Sequence, residues 1–280
     1  MVEIEFPEAN KRVYIPSNLG ECNPKEFKKV CVLLLDYFSN QINYEALKTQ
    51  ITATLLGYRI TPSSTEEGLA NLVIVSDIVD SYFHIDENGN NSINLDIYED
   101  KVPVLKTLFS KYHSCGDNYE RMTYGQYADA SRFFQMFSKE YNTEYLYTLL
   151  AILYTKKKEE YNSKNIDKRI AKFKKYIHPG EAFGVYLLFA SFMKGLATTE
   201  INWRGEDIDL SILFEGNVEE SSGMPGLGAD SLVYTLAEHG SLGVAENVRK
   251  TNFWEVMLLM YELKKQSLER EKQTKNAPDK

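Results

Sequence analysis

The sequence is poor in the residues that usually announce chemistry. Its 280 residues include three cysteines, four histidines and two tryptophans. Cys22, Cys31 and Cys115 are scattered and odd in number, so no disulfide framework is indicated. His84, His113, His178 and His239 stand far apart, without the close pair that a zinc site takes from one element. Long apolar runs are missing as well. The longest, residues 182–193, is well short of the ~20 residues needed to span a bilayer. The opening, with Glu3 and Glu5 between Val2, Ile4 and Phe6, does not read as a signal peptide, and a cytoplasmic protein is expected. An excess of positive charge is also lacking. The net charge of −8 and pI near 5.2 argue against generic binding to nucleic acid or anionic membranes.

What is present fits an ordinary globular chain, with 43% apolar and 26% charged residues. Tyrosine is abundant, at 19 residues, and its amphipathic ring favours interfaces. Charge is segregated: residues 101–180 hold 15 Lys and Arg against 8 Asp and Glu, while the flanking segments are acidic. Lys156, Lys157, Lys158, Lys164, Lys168, Arg169, Lys172, Lys174 and Lys175 supply most of the excess. They read as a solvated helix face or as a docking strip for an acidic partner.

Periodicity predicts a mainly α fold with a small β element, made of an N-terminal strand and a hairpin near 82–98. Val2, Ile4 and Phe6 alternate as in a half-buried strand. Asn23, Pro24 and Glu26 form a helix start ahead of Phe27, Val30, Cys31, Leu34 and Phe38. Further helices are expected over 44–56, behind Ser64, from Thr123 with Gln126 closing a capping box, over 144–156, over 165–177 and over 181–196. Residues 102–105 are read as one more extended piece. The Gly, Ser and Pro of 219–229 predict a flexible linker. Three segments follow: a mainly helical domain over 1–218, the linker, and a C-terminal helical segment over 230–280, whose last helix starts at Phe253.

No motif assigns a reaction. Asp86, Asn88, Asn90, Ser92 and Asn94 mimic a calcium loop, but Asn91 stands where Gly is needed and Ile97 where the bidentate Glu belongs. Gly223, Gly226 and Gly228 lack the Lys-Ser/Thr of a phosphate loop. Glu206, Asp207 and Asp209, after Trp203 and Arg204, have the chemistry to hold a divalent metal or simply to solvate a turn. The last helix differs in kind, because Phe253, Trp254, Met257, Met260 and Tyr261 make it apolar nearly all round. It is expected to be buried by its own domain or by a partner.

The phrases "YIPSNLGECNPKEF", "MTYGQYADASRFF" and "LYTLLAILYTKKKEEY" resemble structural-module proteins of Bacteroidetes phages and prophages. The closing "TLAEHGSLGVAENVRKTNFWEVMLLMYELKKQSLERE" is similar to the end of the same proteins and to helical ends of phage tail-assembly proteins. The likeness touches about half of the chain in pieces, and Leu19 and Cys22 stand where that pattern has Trp and Leu. It implies a non-enzymatic tail-assembly or minor structural protein, in the host cytoplasm or in the virion, with no catalytic residue, metal or cofactor to carry over. The expected partner is another tail component or further copies of the chain, with no membrane partner. Phe253, Trp254, Met257, Met260 and Tyr261 would supply the contact, and Lys168, Arg169 and Lys172 the orientation. Two rivals stand beside it: a metal-dependent hydrolase or nuclease using Glu206, Asp207 and Asp209, and a nucleic-acid adaptor using 156–175.

Overall fold

The computed structural model describes residues 1–6, 10–87, 89–198, 200–203, 205–214 and 229–275. The chain is mainly α, with ten α-helices and four two-stranded sheets among the described residues. Contacts divide it into two compact units, 1–112 with 168–191 and 113–167 with 192–280. Both are discontinuous in sequence.

Unit 1 begins with the hairpin of β1 (Val2–Phe6) and β2 (Lys11–Ile15), in antiparallel register with Ile4 opposite Val13. Helix α1 (Pro24–Phe38) starts where local chemistry dictates. Asn23 accepts from the Lys25 and Glu26 N–H groups, and the Glu26 carboxylate accepts from the Asn23 N–H at 2.9 Å. Its Phe27, Val30, Cys31 and Leu34 are buried on one face. Helix α2 (Tyr44–Leu56) is capped by Asn43 and ends at Gly57, whose φ of 66° suits a residue without Cβ. Helix α3 (Glu66–Ser76) leads through a 3-10 turn into the hairpin of β3 (Phe83–Ile85) and β4 (Asn91–Ile93). A second hairpin joins β5 (Val104–Thr107) to β6 (Ser110–His113). After helix α6 (Asp167–Tyr176), the first part of α7 (Pro179–Thr198) returns to α1. Gly184 lies against Phe27 and Cys31, and Gly180 lies against Val32. The hydroxyl of Ser191 sits 2.9 Å from the Leu95 and Ile97 carbonyls and accepts from the Ile97 N–H.

Unit 2 is built on α4 (Tyr124–Glu140) and α5 (Thr143–Leu153), joined at Tyr141 in the left-handed conformation. Gln126 closes the expected capping box with Thr123 and also donates to the Ile152 carbonyl at 2.9 Å. One side chain thus fixes the start of α4 to the end of α5. The hairpin β7 (Glu200–Trp203) and β8 (Glu206–Asp209) follows the rest of α7. Helices α8 (Ala229–His239), α9 (Ala245–Lys250) and α10 (Phe253–Lys275) complete the unit.

Several local expectations change. The cap of α3 is Thr65, which accepts from Gly68, rather than Ser64. Helix α5 stops at Leu153, so Lys156, Lys157 and Lys158 lie in the connection to α6 and not on a helix face. The strand expected to reach Tyr98 ends at Ile93, because Leu95 and Ile97 turn their carbonyls to Ser191. Pro179 opens α7 rather than merely ending α6, as its missing N–H costs nothing in a first turn. The expected 219–229 linker lies outside the described residues, apart from Ala229, the first residue of α8.

A Cβ added at Gly180 would meet the Val32 Cα at 2.5 Å, and backbone cannot swing aside. Gly180→Ala is expected to destabilise the protein by about 1–3 kcal/mol through overpacking. Urea denaturation of the variant against the parent chain measures the loss; an unchanged midpoint would contradict the close approach of α7 to α1.

Candidate functional site

Four ionisable or polar side chains meet in unit 2. Asp129 lies on α4 in the run Tyr124–Ser131, all of it buried. Arg249, near the end of α9, places Nη2 2.7 Å from Asp129 Oδ2 and Nη1 2.5 Å from Asp230 Oδ1 of α8. Tyr161, in the α5–α6 connection, donates its phenol proton to Asp129 Oδ2 at 2.6 Å. Gly125, one turn before Asp129, leaves room for the α9 backbone: a Cβ there would stand 2.9 Å from the Arg249 carbonyl oxygen. Burial, and then the hydrogen bond to Asp129, push the Tyr161 phenol up from its ordinary value. Burial opposes the Arg249 charge, but the Asp129 carboxylate outweighs it, with Asp230 behind, and the guanidinium is held protonated more firmly than usual.

Neither Arg249 nor Tyr161 is thereby tuned toward neutrality, where a proton-transfer group works best. The arrangement suits a clamp that fixes α8, α9 and the α5–α6 connection on α4. Its residues were not singled out from the sequence, where Asp129 disappears inside the apolar pattern of Tyr127, Ala130 and Phe133.

The residues expected to meet a partner have divided environments. Phe253 is fully buried, its ring 4.6 Å from Tyr127 and 5.5 Å from Phe192, and Met257 is buried one turn later. Trp254 is half-buried, and its indole N–H donates to the Asn118 carbonyl at 3.0 Å. Asn252 caps α10 by accepting from the Trp254 N–H at 2.9 Å. Met260 and Tyr261 are half-buried. Lys168 is exposed, Lys172 half-buried and Arg169 buried. Arg169 precedes Phe173 by four residues and so shares the inward face of α6.

The acidic cluster lies in β8, where Asn202 faces Asp207 and Trp203 faces Glu206 across the hairpin. Asp209 accepts from the Ser211 N–H at 2.8 Å and caps the 3-10 turn that follows. Among the described residues, no three of His, Cys, Asp and Glu converge as a metal would require. The calcium-like loop is the turn of the β3–β4 hairpin: Asp86 accepts from the Asn90 N–H and from Ser92. Asn88 and the glycines of 223–228 lie outside the described residues. Among the described residues, no helix is long and apolar enough to cross a membrane.

The three thiols are buried and unpaired with one another. Burial raises Cys22 to about 11 and Cys31 well above its ordinary value. Neither forms the thiolate needed for nucleophilic or redox work at neutral pH.

Comparison with protein-family models, with curated proteins and with solved structures finds no match to this chain.

Two outcomes are expected here. Asp129→Asn leaves the Arg249 charge short of its anion; Arg249 keeps 29% of its side-chain surface in water, so the loss should be about 2–4 kcal/mol, somewhat below that of a fully buried pair. Thermal melting measures it, and a shift within error would mean the clamp is ornamental. Alkylation at pH 8 should leave Cys22 and Cys31 unmodified in the native protein and modify both in denaturant, as peptide mass spectrometry would record.

Proposed function

We propose that the chain is a non-enzymatic assembly or minor structural protein of a phage tail or tail-like particle, made in the host cytoplasm and binding another particle component through helical apolar surface. The observation that carries this reading is the course of α10. Phe253, Val256 and Met257 root the helix in unit 2, whereas Leu258, Leu259, Met260, Tyr261 and Leu263 are only half-buried, and residues 264–273 are exposed throughout. An isolated helix of such length is marginal in water, so the projecting turns gain most by lying against something else. An amphipathic helix received in a groove is a common way for one protein to hold another. The phage context rests on the sequence phrases alone.

The contact surface is narrower than the whole apolar helix. Phe253 and Met257 serve the core, Trp254 is anchored by Asn118, and Met260 with Tyr261 form the accessible part. Lys168 and Lys172 of α6 remain available for orientation, while Arg169 is buried. The rival reading is a metal-dependent hydrolase or nuclease using Glu206, Asp207 and Asp209.

Co-expression with tail components, read as complex mass by light scattering, tests the proposal. Met260→Asp with Tyr261→Asp should weaken the complex at least about tenfold, the equivalent of ~1.4 kcal/mol, with little change in melting temperature. Calorimetric titration with magnesium or manganese decides against it if heat appears and vanishes in Asp207→Asn with Asp209→Asn.

A further inference from the structure

Unit 1 carries two apolar surfaces of opposite electrostatic character. The first is the tip of the β5–β6 hairpin. Its two-residue turn is Leu108–Phe109, exposed at 65% and 90%. Turns of this length usually take Asn-Gly or Asp-Gly, because positive φ matches the twist of the strands. Neither Leu108 nor Phe109 has positive φ, so nothing in the turn geometry requires these residues. Thr107 and Ser110 close the base through a 3.3 Å hydrogen bond, and polar residues at the tip would do as well. Lys106 and Lys111 flank it, both exposed, and no acidic residue occurs from 101 to 116.

The second surface is the outer face of α3. Ile74 is 71% exposed and Val73 48%. Helical spacing puts Ile74 in one stripe with Glu67, Ala70 and Asp77, all exposed. The neighbourhood is strongly acidic. Lys48 is the cation for three carboxylates, Asp77 at 2.8 Å, Asp80 at 3.4 Å and Glu45 at 3.8 Å. That leaves an excess of two negative charges before Glu66 and Glu67 are added.

We propose that the basic-rimmed hairpin tip of one copy docks on the acid-rimmed α3 face of a second copy, joining molecules head to tail. Phe109 and Leu108 cover Ile74 and Val73, and Lys106 and Lys111 meet the excess carboxylates around α3. Complementary charge is what selects a second copy: the basic finger needs an apolar surface with an acidic rim, and this chain displays one. Such an interface is heterologous. Each added molecule offers both surfaces again, so the assembly closes into a ring or continues as a filament. This deepens the reading above in one respect, that the exposed apolar surface serves protein partners, and none of its residues belongs to α10.

The test is complementation. The mass of the full chain by light scattering should rise with concentration. Phe109→Asp and Ile74→Arg alter exposed side chains and should each give a folded monomer with an unchanged melting curve. Phe109→Asp retains the α3 face and Ile74→Arg retains the hairpin, so an equimolar mixture should form a one-to-one dimer that grows no further. Association in either variant alone should be at least about tenfold weaker than in the parent chain. Reversing Lys106 and Lys111 to Glu should likewise disperse the assembly, and mixing that variant with Glu66→Lys/Glu67→Lys should restore growth in alternation, because each hairpin then again meets a rim of opposite charge. A parent chain that stays monomeric at every concentration overturns the proposal, as does an assembly indifferent to Phe109→Asp. Phe109-dependent binding of a monomer to anionic lipid vesicles also overturns it, in favour of a membrane-directed finger. None of these outcomes touches the co-expression result with Met260 and Tyr261, so failure here and failure of the α10 contact are separable.

Discussion

A carboxylate buried in the middle of a helix has to find a cation and hydrogen-bond donors, and in unit 2 those partners come from two other stretches of chain. Asp129 takes Arg249 from α9 and Tyr161 from the α5–α6 connection, and Arg249 carries Asp230 of α8 with it. Hydrophobic contacts alone would let short helices such as α9 slide on α4 at little cost. A charged network with fixed donor directions does not, because each misplacement strands a desolvated group. The close approach permitted by Gly125 belongs to the same constraint. Once α9 is fixed, the Thr251 carbonyl accepts from the Tyr124 N–H and the Phe253 N–H donates to the Met122 carbonyl, which sets where α10 begins.

Features written in neighbouring residues were legible. The capping boxes at Asn23–Glu26 and Thr123–Gln126, the span of α2 over 44–56 and the apolar stripe of Phe27, Val30, Cys31 and Leu34 follow from chemistry within four residues or from helical periodicity. What could not be read was assembled across the chain. Tyr161 is 32 residues from Asp129 and Arg249 is 120, and no local pattern marks any of them as partners. Two hairpins were hidden for a different reason. Strand β8 is mostly acidic, a composition disfavoured in strands, and the β5–β6 turn lacks turn residues altogether. Arg169 shows the converse error of composition. It sits among lysines that face water, yet its spacing from Phe173 turns it inward.

The acidic total conceals this division of labour. Lys168, Lys174 and Lys175 of α6 and Lys106 and Lys111 of the β5–β6 hairpin are exposed, whereas Arg169 is buried and Arg249 and Lys48 are tied into carboxylate networks. Counting charges along the chain therefore overstates what a partner would feel in some places and understates it in others. Around Lys48 the surplus of carboxylates survives because one ammonium cannot neutralise three. Large exposed apolar side chains are scattered over many elements, Ile85, Tyr98, Tyr141, Tyr234 and Val244 among them; Val73 with Ile74 and Leu108 with Phe109 are adjacent pairs, and Phe109 is the most exposed.

The interleaving of the two units sets a timetable for synthesis. Residues 1–112 cannot complete unit 1 until 168–191 have been made, because α7 supplies the glycine face that α1 packs against. About 80 further residues must emerge first, a wait on the order of 4–16 s at ~5–20 residues per second. During that interval Phe27, Val30 and Cys31 present a newly made apolar stripe with its proper cover still on the ribosome. Residues 113–167 in turn wait for the segment after 191. The nascent chain therefore passes through two periods of incomplete burial, one for each unit.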